Sequence, residues 1–418
     1  MPEIRAAQSA VLVGFARRSS EAASAEKSLD ELARLLDTAG GEAVARVLQV
    51  KPTPDPATVI GSGKVEEIAA LCRNHNVSLV VFDMELSPSQ IRNLEDGIGD
   101  VLVLDRSMLI LDIFALHATS GEGKLQTELA LLRYTAPRLT GHGKELSRLG
   151  GTIGTRGPGE SKLEEDRRHV RHRITALEGQ LAEMEKNRAT MRAARARSGV
   201  PKVAIVGYTN AGKSTLLNLL TDAGVLSEDK LFATLDPTTR RLTLPEGEEV
   251  LLTDTVGFVN KLPHHLVKAF HSTLEEAALA DVLLIVVDYS DPEWENQLSV
   301  TYDTLRTLGA QGKPTLTVYN KCDAVEGTLP SEGEDSVFFS AKTGEGRERL
   351  FARLLALVRD GKKKCVLHIP YDKSGEVNGI YRVGTVESIE YLSDFVEVRA
   401  VLDAKGMGLY RAYIKQEE

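Results

Sequence analysis

The sequence is poor in cysteine and aromatic residues, and it has no long apolar run. Its 418 residues include only three cysteines, Cys72, Cys322 and Cys365. They lack metal-ligand spacing, so we expect reduced thiols rather than disulfides or a zinc site. No segment is long and apolar enough to span a bilayer, and the first residues lack the basic-then-apolar layout of a signal peptide. We therefore expect a cytoplasmic protein without a membrane span.

The chain also lacks an excess of basic residues. Lysine and arginine number 51 against 60 acidic residues, which gives a net charge of −9. This balance excludes indiscriminate coating of nucleic acid, so any RNA contact must be local. Hydrophobic residues make up 42% of the chain, which is enough to build real cores. The length exceeds that of one ordinary domain.

A glycine-rich loop with a lysine and a serine is the most informative segment that is present. It follows the apolar residues 202–206, and the backbone N–H groups of such a loop converge on phosphates at a helix N-terminus. Lys213 would reach the β- and γ-phosphates, and the Ser214 hydroxyl would bind Mg²⁺. We expect nucleotide contacts from Gly207, Tyr208, Thr209, Asn210, Ala211, Gly212, Lys213, Ser214 and Thr215.

Three further motifs follow in the order that a guanine-nucleotide switch requires. They are Asp254-Thr255-Val256-Gly257, Asn320-Lys321-Cys322-Asp323 and Ser340-Ala341-Lys342, and each follows an apolar, strand-like segment. Ligands bind at the carboxyl ends of strands in open α/β sheets. Together with the phosphate-binding loop, this ordered set predicts GTP binding.

The chemistry of guanine and of phosphate explains these residue types. With Asn320, Asp323 would read the base, because a carboxylate accepts from guanine N1–H and the 2-amino group, and adenine offers neither donor. Ser340-Ala341-Lys342 would offer a backbone N–H to guanine O6. Asp254 is suited to hold the metal through water, and Gly257 can bring a backbone N–H close to the γ-phosphate.

Hydrolysis is predicted to be slow without help. Phe258 occupies the position where well-understood GTPases place a glutamine that orients the attacking water. We expect a partner or an ion to raise the rate, and Asn210 suggests K⁺. The alternative is that Asn210 only closes the loop. A threonine of the intervening switch segment should close over Mg²⁺, and chemistry alone leaves Thr234, Thr238 and Thr239 open.

The motifs and the composition predict a multidomain α/β protein in four parts. We expect an N-terminal α/β domain over residues 1–120 and a long helical hairpin over 121–198, with a glycine-rich loop at 141–160. The GTPase domain covers 200–360, with a mostly parallel sheet and helices on both faces. Residues 365–418 form a small α+β module.

The run Gly61-Ser-Gly-Lys64 invites the interpretation of a second nucleotide site. It lacks the full phosphate-loop pattern, because Thr58 stands where a glycine is needed and Val65 replaces the metal-binding hydroxyl. A turn that begins a helix is the favoured interpretation, and a phosphate site is the alternative.

The loop of the helical hairpin has two interpretations. It is rich in glycine and carries Lys144, Arg148 and Arg156. It is either a flexible connection or a basic tip that inserts into a narrow polyanionic site such as folded RNA. The second helix is basic over residues 167–173. That stretch is either a solvated face with interspersed acids or a stripe that contacts phosphate.

With these pieces in order, the chain resembles the HflX family of translational GTPases over nearly its whole length. The loop and switch motifs are the most specific matches, and the C-terminal module matches only loosely. The resemblance is carried by residues 59–67, 126–130, 133–139, 151–164, 207–214 and Phe232-Ala233-Thr234-Leu235-Asp236.

The resemblance implies functions that the residues alone do not. Members of the family associate with the large ribosomal subunit, and some dissociate stalled ribosomes under stress. The family pattern assigns the magnesium-binding threonine to Thr234, and it implies that the loop with Arg148 and Arg156 reaches ribosomal RNA. It also implies that the ribosome accelerates the slow turnover. An ATP-linked activity proposed for the N-terminal domain is in doubt here, because the pattern around Lys64 is incomplete.

Two other functions stay open at this point. A GTP-controlled adaptor would bind a protein through the helical hairpin and never touch RNA. An accessory factor for RNA remodelling or modification would need a second catalytic constellation, which the sequence does not reveal. In the favoured interpretation, a monomer binds GTP and Mg²⁺, with K⁺ as a further candidate. Hydrolysis would depend on Lys213, Thr234, Gly257 and Asn210.

Overall fold

The computed structural model describes residues 8–138, 162–196, 200–221, 231–232, 237–261, 276–359, 363–381, 383–402 and 404–415. The chain forms two compact units. The first comprises residues 1–183, 226–236 and 256–274, and the second comprises 184–225, 237–255 and 275–418. No helix within the described ranges combines the length and the apolar character needed to cross a membrane.

The first unit contains a parallel four-stranded sheet. Its strands β1 to β4 have the spatial order β2-β1-β3-β4. Their valine and leucine side chains are largely buried, as expected for a parallel sheet covered by helices. The strands are β1 (Ser9–Ala16), β2 (Glu42–Val50), β3 (Leu79–Phe82) and β4 (Leu102–Asp105).

Four helices alternate with these strands: α1 (Ala22–Thr38), α2 (Ser62–His75), α3 (Pro88–Ile98) and α4 (Arg106–His117). Local signals set where several of them begin. Ser87 caps α3 in a capping box with Gln90. Asp105 caps α4 by accepting from the Met108 N–H at 2.9 Å. The Gly61-Ser-Gly-Lys64 run begins α2, and Lys64 pairs with Glu67 at 2.7 Å.

Two further helices continue the chain. Helix α5 (Gly121–Thr135) begins where Ser120 accepts from the Gly123 N–H at 2.9 Å, and a 3-10 turn (Ala136–Arg138) follows it. Helix α6 spans Lys162–Ala196. Ion pairs of 2.7 Å join Arg173 to Glu128 and Arg133 to Glu178. The predicted glycine-rich loop at 141–160 lies outside the described residues.

The second unit contains a six-stranded sheet with the order β10-β9-β8-β5-β7-β6. All neighbours are parallel except the pair β6 and β7. The strands are β5 (Lys202–Gly207), β6 (Thr238–Thr243), β7 (Glu249–Asp254), β8 (Val282–Asp288), β9 (Thr315–Asn320) and β10 (Ser336–Phe338). The same unit contains the helices α7 (Lys213–Thr221), α8 (Trp294–Thr307) and α9 (Arg347–Arg359).

This sheet places a ligand crevice at the carboxyl end of β5. The chain runs from β5 towards β7 on one side and then continues through β8, β9 and β10 on the other. Ligands bind at such a reversal of strand order in open α/β sheets. A continuous core of Val, Leu, Ile and Phe side chains supports the crevice from below.

The end of the chain forms an antiparallel three-stranded sheet with the order β11-β13-β12. Its elements are β11 (Lys363–Pro370), α10 (Glu376–Ile380), β12 (Gly384–Tyr391), β13 (Phe395–Leu402) and α11 (Ala404–Leu409). One face of β13 supplies the core of this module, where Val396, Val398 and Leu402 are fully buried.

The prediction of a multidomain α/β fold with a P-loop GTPase domain is confirmed. The strand-like segments expected before the four motifs are β5, β7, β9 and β10. Two strands of the second sheet were missed, β6 and β8, although residues 282–287 of β8 form a continuous apolar run that predicts a buried parallel strand. The four domain boundaries stay predictions.

Candidate nucleotide-binding site

The phosphate-binding loop joins β5 to α7 and lies tightly against its neighbours. Gly207 and Gly212 have φ angles of +150° and +93°. A Cβ on Gly207 would lie 2.2 Å from the Val286 carbonyl oxygen, and one on Gly212 would lie 2.2 Å from Asn320 Nδ2. Only glycine fits at either position. Asn210, at the middle of the loop, has the left-handed φ of +61°.

Lys213 lies at the start of α7 and is buried. Its Nζ donates to the carbonyl oxygen of Tyr208 at 2.7 Å. Burial lowers the pKa of Lys213 to about 8, and the nearby Asp254 carboxylate offsets part of that effect. An anion close to the Lys213 ammonium, such as a bound phosphate, would raise this pKa again.

The metal end of the site is formed by Ser214 and Asp254. Ser214 Oγ donates to Asp254 Oδ2 at 2.6 Å, and Asp254 is fully buried at the end of β7. Mg²⁺ is usually held by one or two carboxylates together with substrate phosphates and water. Within the described ranges, no cluster of three or more His, Cys, Asp or Glu side chains could hold a metal. The Ser214 hydroxyl and the Asp254 carboxylate are ligand types that suit a magnesium ion that is also bound by nucleotide phosphates.

The base end of the site is a hydrogen-bonded network after β9 and β10. Asn320 Nδ2 donates to the Ala211 carbonyl oxygen at 2.8 Å, and Asn320 Oδ1 accepts from the Ala341 N–H at 2.9 Å. Ser340 Oγ donates to Asp323 Oδ1 at 2.6 Å. These bonds bring the phosphate-binding loop and two of the predicted motifs to one edge of the sheet.

Lys321 and Cys322 are the two middle residues of the Asn320-Lys321-Cys322-Asp323 motif, and their surroundings differ. Lys321 takes the left-handed φ of +62° and its Nζ pairs with Asp288 Oδ2 at 2.6 Å. Asp288 ends β8, a strand that sequence reasoning missed, and so its role was missed as well. Burial raises the pKa of the Cys322 thiol, which keeps it protonated. Lys342 is exposed at the end of the Ser340-Ala341-Lys342 motif.

The predicted switch residues lie in different parts of the structure, and some of them lie outside the described residues. Thr238 and Thr239 lie in β6, where Thr239 Oγ1 is 3.0 Å from Thr253 Oγ1 of β7. Thr255 is buried and donates to the Ile205 carbonyl oxygen at 2.7 Å. The remaining predicted members fall into two groups. Phe232, Val256 and Gly257 are described in the first unit, and Ala233, Thr234, Leu235 and Asp236 lie outside the described residues.

An aromatic cluster beside the base end was also missed. The Trp294 ring lies 5.5 Å from the Tyr319 ring, and Tyr289 lies 5.4 Å from both. Tyr319 also stacks on Phe338 at 5.2 Å. These rings come from distant parts of the chain, so no local pattern identifies the cluster. Its member Tyr319 directly precedes Asn320 in β9.

Family comparisons cover most of the chain. Residues 26–115 match the family described as "GTP-binding GTPase N-terminal", and residues 117–195 match "GTP-binding GTPase Middle Region". Residues 202–321, which carry the phosphate-binding loop and Asn320, match "50S ribosome-binding GTPase".

Individual relatives agree with these matches. The chain is 50% identical to GTPase HflX of Lacrimispora saccharolytica over 91% of this chain and 90% of the relative. It is 49% identical to GTPase HflX of Caldanaerobacter subterraneus subsp. tengcongensis, with 90% and 87% covered. Identity to GTPase HflX of Escherichia coli is 41%, with 86% of each covered. Among solved structures, the SsGBP and GDP complex is 26% identical, covers 84% of this chain and 99% of that chain, and gives a TM-score of 0.48.

The family resemblance that the sequence motifs predicted is thereby confirmed. Both the identity and the coverage are far above what a shared fold alone requires. The chain belongs to the HflX family of GTPases, and it is a GTP-binding, GTP-hydrolysing enzyme.

Proposed function

We propose that this GTPase is a nucleotide-gated switch that binds the large ribosomal subunit, including its RNA, and dissociates stalled ribosomes under stress. The observation that carries the proposal is the match of residues 202–321 to a family described as ribosome-binding, a range that includes the phosphate-binding loop and Asn320 of the base end. The family membership over nine-tenths of the chain supports it.

Different residues of the chain bind the phosphates, the base and the metal ion. The amides of the loop from Gly207 to Lys213 bind the phosphates, and the Lys213 ammonium balances their charge. Asn320 and Asp323 select guanine, because the hydrogen bond from Ser340 Oγ fixes the Asp323 carboxylate for a two-point contact with the base. Ser214 and Thr234 would hold Mg²⁺, with Asp254 behind them, and that ion neutralises charge on the β- and γ-phosphates when bound.

Thr234 is our choice for the switch threonine. Thr239 is already engaged by Thr253 across the β6–β7 pair, and Thr238 is registered with Asp254 in the same ladder. Recruiting either one to a phosphate would break part of this sheet edge. With GTP bound, Thr234 and the Gly257 amide order the switch segments, and hydrolysis releases them.

Turnover should be slow without a partner. Phe258 is buried and has no group that could orient a water molecule. Asn210 suggests K⁺ as a second aid, because the form Gly-x-x-Asn-x-Gly-Lys-Ser resembles that of GTPases that use potassium where others use an arginine. Rates of GTP hydrolysis in matched potassium and sodium buffers test this, and equal rates would show that K⁺ does not assist hydrolysis.

RNA is favoured over a protein as the main contact, although the chain is acidic overall. Helix α6 exposes Arg168, His169, Arg171 and His172 on consecutive turns. Arg173 of the same helix is bound to Glu128 through two contacts of 2.7 and 2.8 Å. We therefore expect the contribution of α6 to RNA binding to come from residues other than Arg173.

Co-sedimentation of the full chain with purified large subunits tests the proposal. We expect binding with a non-hydrolysable GTP analogue and weak binding with GDP. In the analogue state, binding should fall steeply with salt and should fall further on substitution of Arg148 and Arg156 by alanine. A salt-insensitive complex that only apolar substitutions abolish would favour the protein-binding adaptor instead.

A further inference from the structure

Helix α5 ends on a buried hydrogen-bond network. Its centre is Asp105, a fully buried carboxylate at the end of β4. One carboxylate oxygen, Oδ1, accepts from the Met108 N–H at 2.9 Å and so caps α4. The other oxygen, Oδ2, accepts from the Leu86 N–H at 3.1 Å and from the Tyr134 hydroxyl near the end of α5. A buried carboxylate needs such donors, because its bonds to water are lost on folding.

Arg138, the last residue of the 3-10 turn that follows α5, completes this network. Its Nη2 donates to the Leu86 carbonyl oxygen at 3.0 Å and lies 3.7 Å from Asp105 Oδ2. Its Nη1 donates to the Tyr134 carbonyl oxygen at 2.5 Å, and its guanidinium carbon lies 3.5 Å from the centre of the Tyr134 ring. The planar guanidinium therefore balances the buried charge, bonds two carbonyl groups and covers an aromatic ring at the same time.

Tyr134 acts as a fixed donor in the network. Burial, together with the nearby Asp105 carboxylate, raises the pKa of Tyr134, so its hydroxyl keeps its proton. Through Tyr134 and Arg138, the end of α5 is bonded both to Asp105 and to the backbone of Leu86 in the connection between β3 and α3. The network thus fixes the end of this helix to two separate parts of the N-terminal sheet.

The network lies at the root of the basic segment that is predicted to contact RNA. Arg138 directly precedes residues 139–161, which carry Lys144, Arg148 and Arg156. The ion pairs between α5 and α6 are largely exposed, and exposed pairs contribute little stability. The buried network is therefore the firm attachment at the point where the chain leaves α5.

We propose that Asp105, Tyr134 and Arg138 are positioning residues for RNA binding, because they fix the direction in which the chain leaves α5 towards residues 139–161. The inference rests on the proposed function, which assigns that segment to ribosomal RNA. A segment whose root is already ordered loses less conformational entropy when it binds, so its affinity is higher. Without the network, the protein should bind nucleotide normally and the large subunit more weakly.

Tyr134→Phe in the full chain tests this with the smallest change, because it removes only a hydroxyl and leaves the ring and the net charge in place. Thermal melting checks that the variant is folded. With a non-hydrolysable GTP analogue, we expect the dissociation constant for purified large subunits to rise about tenfold, while GDP affinity and intrinsic hydrolysis stay unchanged. Thr135→Val removes the neighbouring hydroxyl, which bonds to the Leu131 carbonyl oxygen within α5, and is the matched control. It should leave subunit binding unchanged, and equal binding by both variants would overturn the proposal.

Arg138→Lys separates positioning from a direct contact with phosphate. Lysine keeps the charge, but it cannot reproduce the two hydrogen bonds and the ring contact of the planar guanidinium. Positioning therefore predicts that Arg138→Lys and Arg138→Met weaken subunit binding to a similar extent. Normal binding by the lysine variant, with weak binding by the methionine variant, would place Arg138 on the RNA and contradict its positioning role.

A combination with substitutions in the basic segment shows where the network acts. In a chain that already carries Arg148→Ala and Arg156→Ala, Tyr134→Phe should weaken subunit binding by less than about twofold. The measurement is made at low salt, where RNA binding is strongest. A general loss of stability would not produce this dependence. A further tenfold loss would show that the network acts on a different contact, and the proposal would then be wrong.

Hydrogen exchange without ribosomes tests the attachment itself. The Ala136 N–H donates to the Leu132 carbonyl oxygen at the end of α5, and it should exchange faster in Tyr134→Phe than in the unaltered protein. Unchanged exchange would show that the Tyr134 hydroxyl does not hold this end of the helix, which would overturn the proposal. Failure of the unaltered chain to bind large subunits would instead overturn the proposed function, so the two failures are distinguishable.

Discussion

The side-chain amide of Asn320 donates to the carbonyl oxygen of Ala211 at 2.8 Å, so the base-reading strand holds the phosphate-binding loop directly. The oxygen of the same amide accepts from Ala341, which belongs to the third motif. One buried side chain therefore connects three segments that lie far apart in the sequence.

Asn320→Ala should weaken both the fold and nucleotide binding. The substitution leaves the Ala211 carbonyl and the Ala341 N–H buried without these partners, at a cost of about 1 to 3 kcal/mol for each group. Thermal melting and nucleotide titration measure the two effects. Asp303→Asn, which removes an exposed ion pair with Arg306 on α8, is the control and should change neither. Equal behaviour of the two variants would show that the amide does not organise the site.

Gly212→Ala should abolish nucleotide binding because of a clash as well as backbone strain. The new Cβ would lie 2.2 Å from Asn320 Nδ2, an atom that cannot retreat without losing its bond to Ala211. Gly312→Ala separates the two causes, since Gly312 has a φ of +75° and nothing within 4 Å of the new atom. Strain alone should cost about 1 to 2 kcal/mol there and leave nucleotide binding intact. If both variants bind GDP equally well, the clash has no consequence.

Nucleotide affinity should depend on pH through Lys213. Burial lowers its pKa to about 8, and bound phosphates would raise it again. Above pH 8, binding must therefore take up a proton, so affinity falls as pH rises. We expect the GDP dissociation constant to increase about tenfold between pH 7 and 9.

Lys213→Arg provides the control for that titration, because the guanidinium stays charged throughout the range. Titration of the nucleotide itself affects both proteins alike. The wild-type curve should therefore bend near pH 8, and the variant curve should lack that bend. Identical curves would show that Lys213 does not titrate in this range.

Trp294 should report the occupancy of the base end. It is the sole tryptophan of the chain, and its ring lies 5.5 Å from Tyr319, which precedes Asn320. Guanine nucleotides should therefore change its emission, and adenine nucleotides should not. Asp323→Asn should remove the response to GDP, because the amide cannot accept from both guanine donors. An emission that follows unfolding but ignores GDP would show that the aromatic cluster is isolated from the base.

Local sequence patterns were sufficient for the parts of this molecule that local chemistry decides. The Ser87-Pro88 start of α3, the loop from Gly207 to Lys213, and the apolar strands before Asp254 and Asn320 all have signals within a few residues. The predicted phosphate and base motifs lie at the ends of the strands where they were expected. Strand β8 could have been found in the same way, from its apolar run.

Long-range pairings could not be predicted in this way. Asp288 meets Lys321 only because β8 and β9 are neighbours, and Lys261 meets Asp83 across 178 residues. Arg106 is the first residue of α4, and no local pattern shows that it is among the largest fully buried side chains. Its partners are Glu31 of α1, Asp83 after β3 and the Asn260 carbonyl oxygen, and only the tertiary fold brings them together.

The most direct test of the central claim is GTP hydrolysis by the full chain with and without purified large ribosomal subunits. Lys213→Ala serves as the blank, because it lacks the ammonium that balances the phosphate charge. The account predicts slow hydrolysis by the protein alone and an increase of at least about tenfold when subunits are added, as expected when a partner completes the catalytic site. An unchanged rate, together with no co-sedimentation in the GTP-analogue state, would contradict the ribosomal function while leaving the GTPase intact.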